Sequence, residues 1–277
     1  MAQYEFIIYE PEHEDGIARL TLNRPEVLNA FHLPMVDEIN EALRDAENDD
    51  KVVCVVLRGA GRAFCVGRDF KYSGELQKQD SAGWHAWRTR FQSPGRTLWR
   101  HKKATIAQVH GYAVGGGQSL AVEADITYAA EGTKFGYPDV KFGMVSMSPH
   151  IYNFTMGAKK TKEYLFTGRF IDAKEAYDFH LINQVLAADR LEDEVMNLAR
   201  EIVTIERRHP GQMQCMKFQI NRCHPDILEG TDQYTAYGHQ AERKYIADMI
   251  DIQSGYFDLA GEKGARAMID AMGRGQA

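Results

Sequence analysis

Three consecutive glycines, Gly115-Gly116-Gly117, stand where a strand gives way to a helix. Ile106 to Val109 is a short apolar run that reads as a buried strand. Leu120, Ala121 and Ala124 read as the first turns of a helix. Glycine loses much chain entropy on folding, so three in a row need a reason. One reason is a backbone held open, with N–H groups at a helix N-terminus turned toward an incoming oxygen. The other is a tight turn with close packing, and on this stretch alone both stand. A nucleotide cradle is excluded by spacing. The stretch has no G-x-G-x-x-G and no Lys-Ser/Thr after the glycines.

The chain of 277 residues is 44% hydrophobic, enough for one large domain or a core with an appendage. Its net charge of −6, with both signs spread along the chain, favours neither nucleic acid nor an anionic membrane surface. No apolar run reaches the length of a membrane span. Met1-Ala2-Gln3-Tyr4-Glu5 has no basic region or apolar core, so the expectation is a cytoplasmic protein without a signal peptide. Cys54, Cys65, Cys215 and Cys223 have no C-x-x-C spacing and read as reduced thiols. No metal site is expected.

Phe6 to Tyr9 and Ile17 to Leu22 read as strands joined by a turn at Glu14-Asp15-Gly16. The loop from Asn23 to Phe31 is broken by Pro25. A helix begins at Pro34, with Val36, Ile39, Ala42, Leu43 and Ala46 on one apolar face. Val52 to Leu57 is apolar throughout, as in a strand covered on both faces. A second glycine-punctuated loop, Gly59 to Phe70, follows it directly. Ser73 to Arg100 is polar with Trp84, Trp87, Phe91, Leu98 and Trp99 interspersed, and reads as loop and helix covering the core. Ile126 to Ala129, Lys134 to Tyr137 and Asn183 to Leu186 are further strands. Helices are expected over 162–167, 173–179, 191–204, 213–221 and 231–252. The break at Pro210-Gly211 and a boundary near residue 205 divide a core, 1–205, from a helical region, 206–277.

Several ordered motifs together carry a family resemblance. They are Asn23-Arg24-Pro25…Leu28-Asn29-Ala30, Gly59-Ala60-Gly61…Ala63-Phe64-Cys65-Val66-Gly67…Asp69, Gly111-Tyr112-Ala113-Val114-Gly115-Gly116-Gly117, and Phe135-Gly136-Tyr137-Pro138-Asp139. A later stretch, Leu165-Phe166-Thr167-Gly168…Asp172-Ala173-Lys174-Glu175-Ala176, matches as well. In this order and spacing the chain resembles the crotonase superfamily of enoyl-CoA hydratases and isomerases. The resemblance implies an α/β fold, a crotonase-like spiral of β-β-α units with a helical C-terminal trimerisation region. It implies a homotrimer or dimer of trimers, and a coenzyme A thioester as substrate with no covalently bound cofactor. Fatty-acid or aromatic-acid metabolism is the setting it implies.

The resemblance also implies an oxyanion hole of two backbone N–H groups, which fall here on Arg68 and Gly116. A thioester carbonyl gains negative charge when a neighbouring carbon is deprotonated or attacked. Fixed donors stabilise that enolate more than the ground state, and losing one can cost ~3 kcal/mol. The Arg68 side chain has two open readings, a contact with the ligand, or a place facing solvent or Asp69, of which the second is expected. For coenzyme A, the family's pattern falls on backbone at Val27, Leu28, Ala30, Ala63 and Val66, together with Arg68 and Gly116. Arg24 has two open readings, a phosphate contact or a solvated loop charge.

Proton transfer beside an enolate needs a carboxylate or similar group. Of three acid positions in the family, the first is Ser119 here, the second is Asp139 and the third is Met147. A single carboxylate can take a proton from one carbon and return it to another. The pattern therefore looks like the enoyl-CoA isomerases, with hydration open if Ser119 holds a water. A C–C hydrolase or lyase acting on a ring or β-keto acyl-CoA is the alternative. A non-catalytic acyl-CoA-binding member is the alternative of another class. Tyr137 and His150 are further candidates for acid–base work. Glu123, one turn beyond Ser119, reads as too deep and as an internal partner for Arg or Lys. Cys65 lacks an implied His helper, which argues against covalent catalysis. His110 reads as a cap on the strand end. Lys263 and Arg266 match the family's basic C-terminal helix only loosely.

Overall fold

The computed structural model describes residues 4–79, 90–91, 93–144 and 149–222, together with 267, 270 and 271. The expected helix over 231–252, Trp84, Trp87, Met147, Cys223, Lys263 and Arg266 lie outside the described residues.

A six-stranded sheet forms the frame. Its strands are β1 (Ile7–Glu12), β2 (Ile17–Leu22), β3 (Cys54–Gly59), β4 (Ala104–Val109), β6 (Ile126–Ala130) and β9 (Gln184–Leu186), in that spatial order. Only the β1–β2 hairpin is antiparallel, and the other neighbours run parallel. A smaller sheet pairs β5 (Tyr112–Val114) parallel to β7 (Lys134–Gly136), and β7 antiparallel to β8 (Phe170–Asp172). Successive turns of the chain give one strand to each sheet. Thus β4 leads into β5, and β6 into β7. In the preceding turn, β3 leads to Cys65, which bridges Ala113 in parallel. This is the β-β-α spiral.

The large sheet is covered on both faces, which explains the unbroken apolar run before Gly59. Val55 and Leu57 face one core with Leu20, Ala107 and α1 (Leu33–Asn48). Cys54 and Val56 face another with Ile17, Ile106 and α7 (Leu191–Arg208). The predicted stripe on α1 is buried in full. His32 caps that helix by accepting the Met35 N–H at 3.4 Å. Helices α2 (Phe70–Gln79) and α3 (Ser93–Arg100) occupy the polar segment, with Leu98 buried. Helix α4 (Gly116–Glu123) follows the triple glycine.

Several boundaries differ from the sequence reading. The helix expected from residue 162 is the end of α5 (Pro149–Thr167), whose local signal is interrupted by Gly157 in a non-helical conformation. Strands β5 and β8, three residues each, are too short for alternation to register. Helix α6 (Ala173–Asp178) begins where the Asp172 carboxylate accepts the Glu175 N–H at 2.9 Å. Helix α7 crosses residue 205 without a break, and α8 (Gln212–Arg222) follows the turn at Pro210-Gly211. Lys217 of α8 reaches Asp125 at 2.8 Å and the carbonyls of Leu98 and Lys103 at 3.2 Å each. These contacts fasten α8 to the core.

Candidate active site

The site forms where the two sheets meet, and two crossing loops set its geometry. Gly67 has φ +81°, and a Cβ there would fall 2.6 Å from the Val114 carbonyl oxygen and 2.9 Å from the Gly116 nitrogen. Only glycine lets these loops touch at this point. The Gly67 carbonyl accepts the Phe31 N–H at 2.6 Å. In a trans peptide the N–H points opposite to the carbonyl, so the Arg68 N–H is turned away from Phe31. On the second loop, the Gly115 carbonyl accepts the Ser119 N–H at 3.0 Å in the first turn of α4. The Gly116 N–H accordingly points out of the helix N-terminus, where the helix dipole favours negative charge.

The three glycines differ in purpose. Gly115 adopts φ +53° and ψ −121°, a conformation other residues avoid. Gly116 borders the cavity beside Phe31 and Phe91. A Cβ on Gly117 would sit 2.2 Å from the Cys65 carbonyl, so this glycine brings α4 against the first loop.

The cavity holds about 750 Å³ of empty space, its open mouth included. Phe31, Val66, Phe91, Leu120 and Met144 give it apolar walls, and Arg68, Ser119, Glu123, Tyr137 and Asp139 are its polar groups. Asp139 enters on a 3-10 turn, Pro138–Phe142, after β7. A Cβ built on Gly115 would lie 3.7 Å from Asp139 Oδ1, so the carboxylate stands over the glycine junction. The Ser119 hydroxyl donates to the Tyr137 hydroxyl at 3.5 Å, a long bond, and both side chains are buried. The Tyr137 ring meets the Tyr152 ring edge-on, with centroids 5.6 Å apart.

The Arg68 side chain faces neither solvent nor Asp69. It borders the cavity, with its guanidinium carbon 5.8 Å from the Phe70 ring centroid and 5.9 Å from that of Phe91. It lies deep yet keeps contact with the open space of the site. Burial draws its pKa down to about 10, against the opposing pull of Asp139 and Tyr137, so it is cationic at neutral pH.

Arg24 is committed elsewhere. It donates to the Ala30 carbonyl at 2.6 Å and to Asp69 Oδ2 at 3.0 Å. Leu28, Ala30, Ala63 and Val66 form one apolar cluster with Val114, and Val27 packs against it. Of these, Val66 and Val114 border the cavity, and Leu28, Ala30 and Ala63 are buried beside them. His150 falls in the first turn of α5, and its side chain lies outside the described residues. Cys65 donates its S–H to the Asn29 carbonyl at 3.0 Å, and burial raises its pKa to about 12. It is an inert thiol there. His110 joins its ring to the Gly61 carbonyl at 2.9 Å, tying the strand end to the first loop.

Sequence reasoning passed over Asn29 as a ligand of the loop. Its side-chain NH₂ reaches the carbonyls of Ala60, Ala63 and Phe64 at 2.9, 2.8 and 3.1 Å. Its signal was an Asn in a turn, and it has φ +57°. Phe31, Phe70 and Phe91 gave no local signal as cavity walls. Glu123, expected too deep, is buried and still borders the cavity. Among the described residues no cluster of three His, Cys, Asp or Glu is placed to hold a metal ion. No described helix is long and apolar enough to cross a membrane.

Comparison with known proteins shows the family of the chain. The family described as enoyl-CoA hydratase/isomerase matches residues 12–245. A probable enoyl-CoA hydratase from Mycobacterium bovis is 32% identical over 227 residues, 81% of this chain and 84% of its own. The mitochondrial enoyl-CoA hydratase of Pongo abelii is 32% identical over 206 residues, 73% of this chain and 69% of its own. The crystal structure of an enoyl-CoA hydratase/isomerase from Xanthobacter autotrophicus Py2 superposes with a TM-score of 0.81, at 32% identity and 98% coverage of both chains.

Proposed function

The chain belongs to the enoyl-CoA hydratase/isomerase family, and from that premise we propose that it moves protons on an enoyl-CoA through a thioester enolate. The observation that carries this reading is the position of Asp139, whose carboxylate stands over the junction at Gly115 and borders the same cavity as Gly116. The thioester oxygen lies between the N–H groups of Arg68 and Gly116. Asp139 takes a proton from a carbon next to the carbonyl or its vinylogue, and the electron pair moves onto the thioester oxygen. Return of the proton to a different carbon moves the double bond, and the oxygen gives up its charge. The two donors act on charge that exists only in the enolate and its transition states, which is where stabilisation raises the rate. For hydration, Ser119 holds a water whose oxygen adds to the β-carbon as Asp139 takes one of its protons, and the protonated Asp139 then returns that proton to the α-carbon of the enolate. Coenzyme A runs along the backbone at Val27, Leu28, Ala30, Ala63 and Val66. A homotrimeric or hexameric assembly belongs to the same reading and is supported by family membership.

The test is mass analysis of a trans-2-enoyl-CoA incubated with the protein in heavy water. One added water identifies a hydratase. Deuterium wash-in without added water identifies proton shuttling between carbons. Tight thioester binding with neither change overturns the hydratase and isomerase readings and leaves a C–C hydrolase or lyase, or a non-catalytic binding member, which a wider panel of thioesters divides.

A further inference from the structure

Asp139 has to enter each turnover as a carboxylate if it is to take a proton. Its surroundings oppose that form. Phe31, Val66, Phe91, Leu120 and Met144 wall the cavity, and a second carboxyl group, that of Glu123, borders the same space from α4. Apolar walls and a neighbouring carboxyl group each favour the protonated acid.

Arg68 is the only Lys or Arg among the described residues that border the cavity. Its peptide and the Asp139 carboxylate approach the same junction, Val114 to Gly116. A Cβ on Gly67 would lie 2.6 Å from the Val114 carbonyl oxygen and 2.9 Å from the Gly116 nitrogen, and one on Gly115 would lie 3.7 Å from Asp139 Oδ1. The guanidinium carbon stands 5.8 Å from the Phe70 ring centroid and 5.9 Å from that of Phe91. Hydrocarbon beside a charge screens it far less than water does. Of the other titratable groups around the site, Tyr137 borders the cavity and Tyr152 of α5 packs against its ring. Lys141 shares the turn of Asp139 but does not border the cavity, and Asp69 is bound to Arg24 at 3.0 Å. Asp139 and Tyr137 both draw Arg68 toward its charged form. The attraction is mutual, so the guanidinium draws Asp139 toward the carboxylate. It acts through space, whatever hydrogen bonds either group makes.

We propose that the Arg68 guanidinium is a positioning group for Asp139, keeping its carboxyl group ionised beside Glu123 so that it can accept the proton. The inference rests on Asp139 as the acid–base group and on the Arg68 N–H as a donor to the thioester oxygen, as proposed above. When the proton passes from carbon to Asp139, the electron pair of the C–H bond ends on the thioester oxygen. The negative charge thus leaves the carboxylate for an oxygen held by the backbone of Arg68 itself. Both stations lie in the field of one cation, so neither end of the step leaves a bare charge among hydrocarbon.

The test titrates Asp139 in Arg68 variants, all of which keep the backbone N–H. Carbon-13 NMR of the aspartate carboxyl groups, assigned against Asp139→Asn, reads the Asp139 midpoint directly. The acid limb of kcat/KM for trans-2-hexenoyl-CoA reads it during turnover. In Arg68→Met both midpoints are expected to rise by about one pH unit, the lower end of what a nearby opposite charge does. Arg68→Gln, polar and planar but uncharged, is expected to behave in the same way, and it serves if Arg68→Met does not fold. Arg68→Lys is expected to restore most of the shift. A lowered kcat with unmoved midpoints assigns the side chain to the support of its loop and overturns the proposal. Arg68→Gln titrating like the natural protein overturns it as well. A shifted NMR midpoint in a protein that turns over no enoyl-CoA upholds Arg68 as the group that ionises Asp139 and overturns the hydratase and isomerase readings alone.

Discussion

Arg24 and Asp69 hold their charged groups 3.0 Å apart across 45 residues of sequence, and the pair braces the peptide between Gly67 and Arg68. Arg24 fixes its own loop through the Ala30 carbonyl. Asp69 accepts the Tyr72 N–H at 3.1 Å, and its backbone N–H donates to Phe31 at 2.7 Å. Phe31 in turn donates to Gly67. Phe31 and Asp69, whose backbone bonds flank the Arg68 peptide, are thus held by this network. It gives Arg24 a third role, neither of those left open by the sequence.

Breaking the pair is expected to cost both stability and turnover. Its side chains are only 14% and 13% exposed, so Arg24→Met leaves Asp69 as a buried, uncompensated charge, a loss of ~3 kcal/mol. Chemical denaturation measures that loss. Turnover is expected to fall by the same factor with a coenzyme A thioester and with a pantetheine thioester, which lacks the nucleotide. A loss confined to the full coenzyme A substrate would place Arg24 at a phosphate instead.

Asp139→Asn is expected to lower kcat by ~10²–10⁴-fold, the usual scale of general acid–base catalysis. The Kd for a coenzyme A thioester is expected to stay within a few-fold. Full turnover in this variant would remove Asp139 from the chemistry.

Two glycines with positive or crowded geometry are expected to respond differently to alanine. Gly117→Ala drives a methyl into the Cys65 carbonyl at 2.2 Å, backbone that has no room to yield. Gly132 has φ +78° but nothing within 4 Å. Gly132→Ala is expected to cost about 1 kcal/mol for the left-handed conformation alone. Gly117→Ala is expected to cost several times more, read from the midpoint of thermal unfolding and from a parallel fall in turnover.

Acid is expected to weaken the fold between about pH 6.5 and pH 4. Burial, with help from the Arg24 charge, lowers the His32 pKa from 6.5 to about 4. The unfolded chain then binds a proton that the fold excludes, so stability is present above pH 6.5 and is lost as pH falls toward 4. The slope from this group approaches ~1.4 kcal/mol per pH unit. His101, buried against the Leu43 carbonyl, is shifted the same way and adds with the same sign. His32→Asn, which can still cap α1, is expected to flatten the slope without abolishing it, as measured by denaturation at several pH values.

Much of the architecture was legible along the chain because strands, helices and turns leave local marks. The apolar run into β3, the stripe on α1 and the glycines at 67 and 115–117 each report a backbone requirement, covered faces, a buried face or a close approach, that nearby residues express directly. The motif order carried the family and the positions of Asp139 and the two crossing loops. What the sequence could not decide is which side chains meet. Phe31 bridges Arg68, and Cys65 bridges Ala113, through pairings between distant segments. Those pairings hold Arg68 at the cavity and bring Arg24 to Asp69. None of these contacts has a periodicity to read. Each is fixed by the register of a parallel sheet, and that register exists only once the whole spiral has closed.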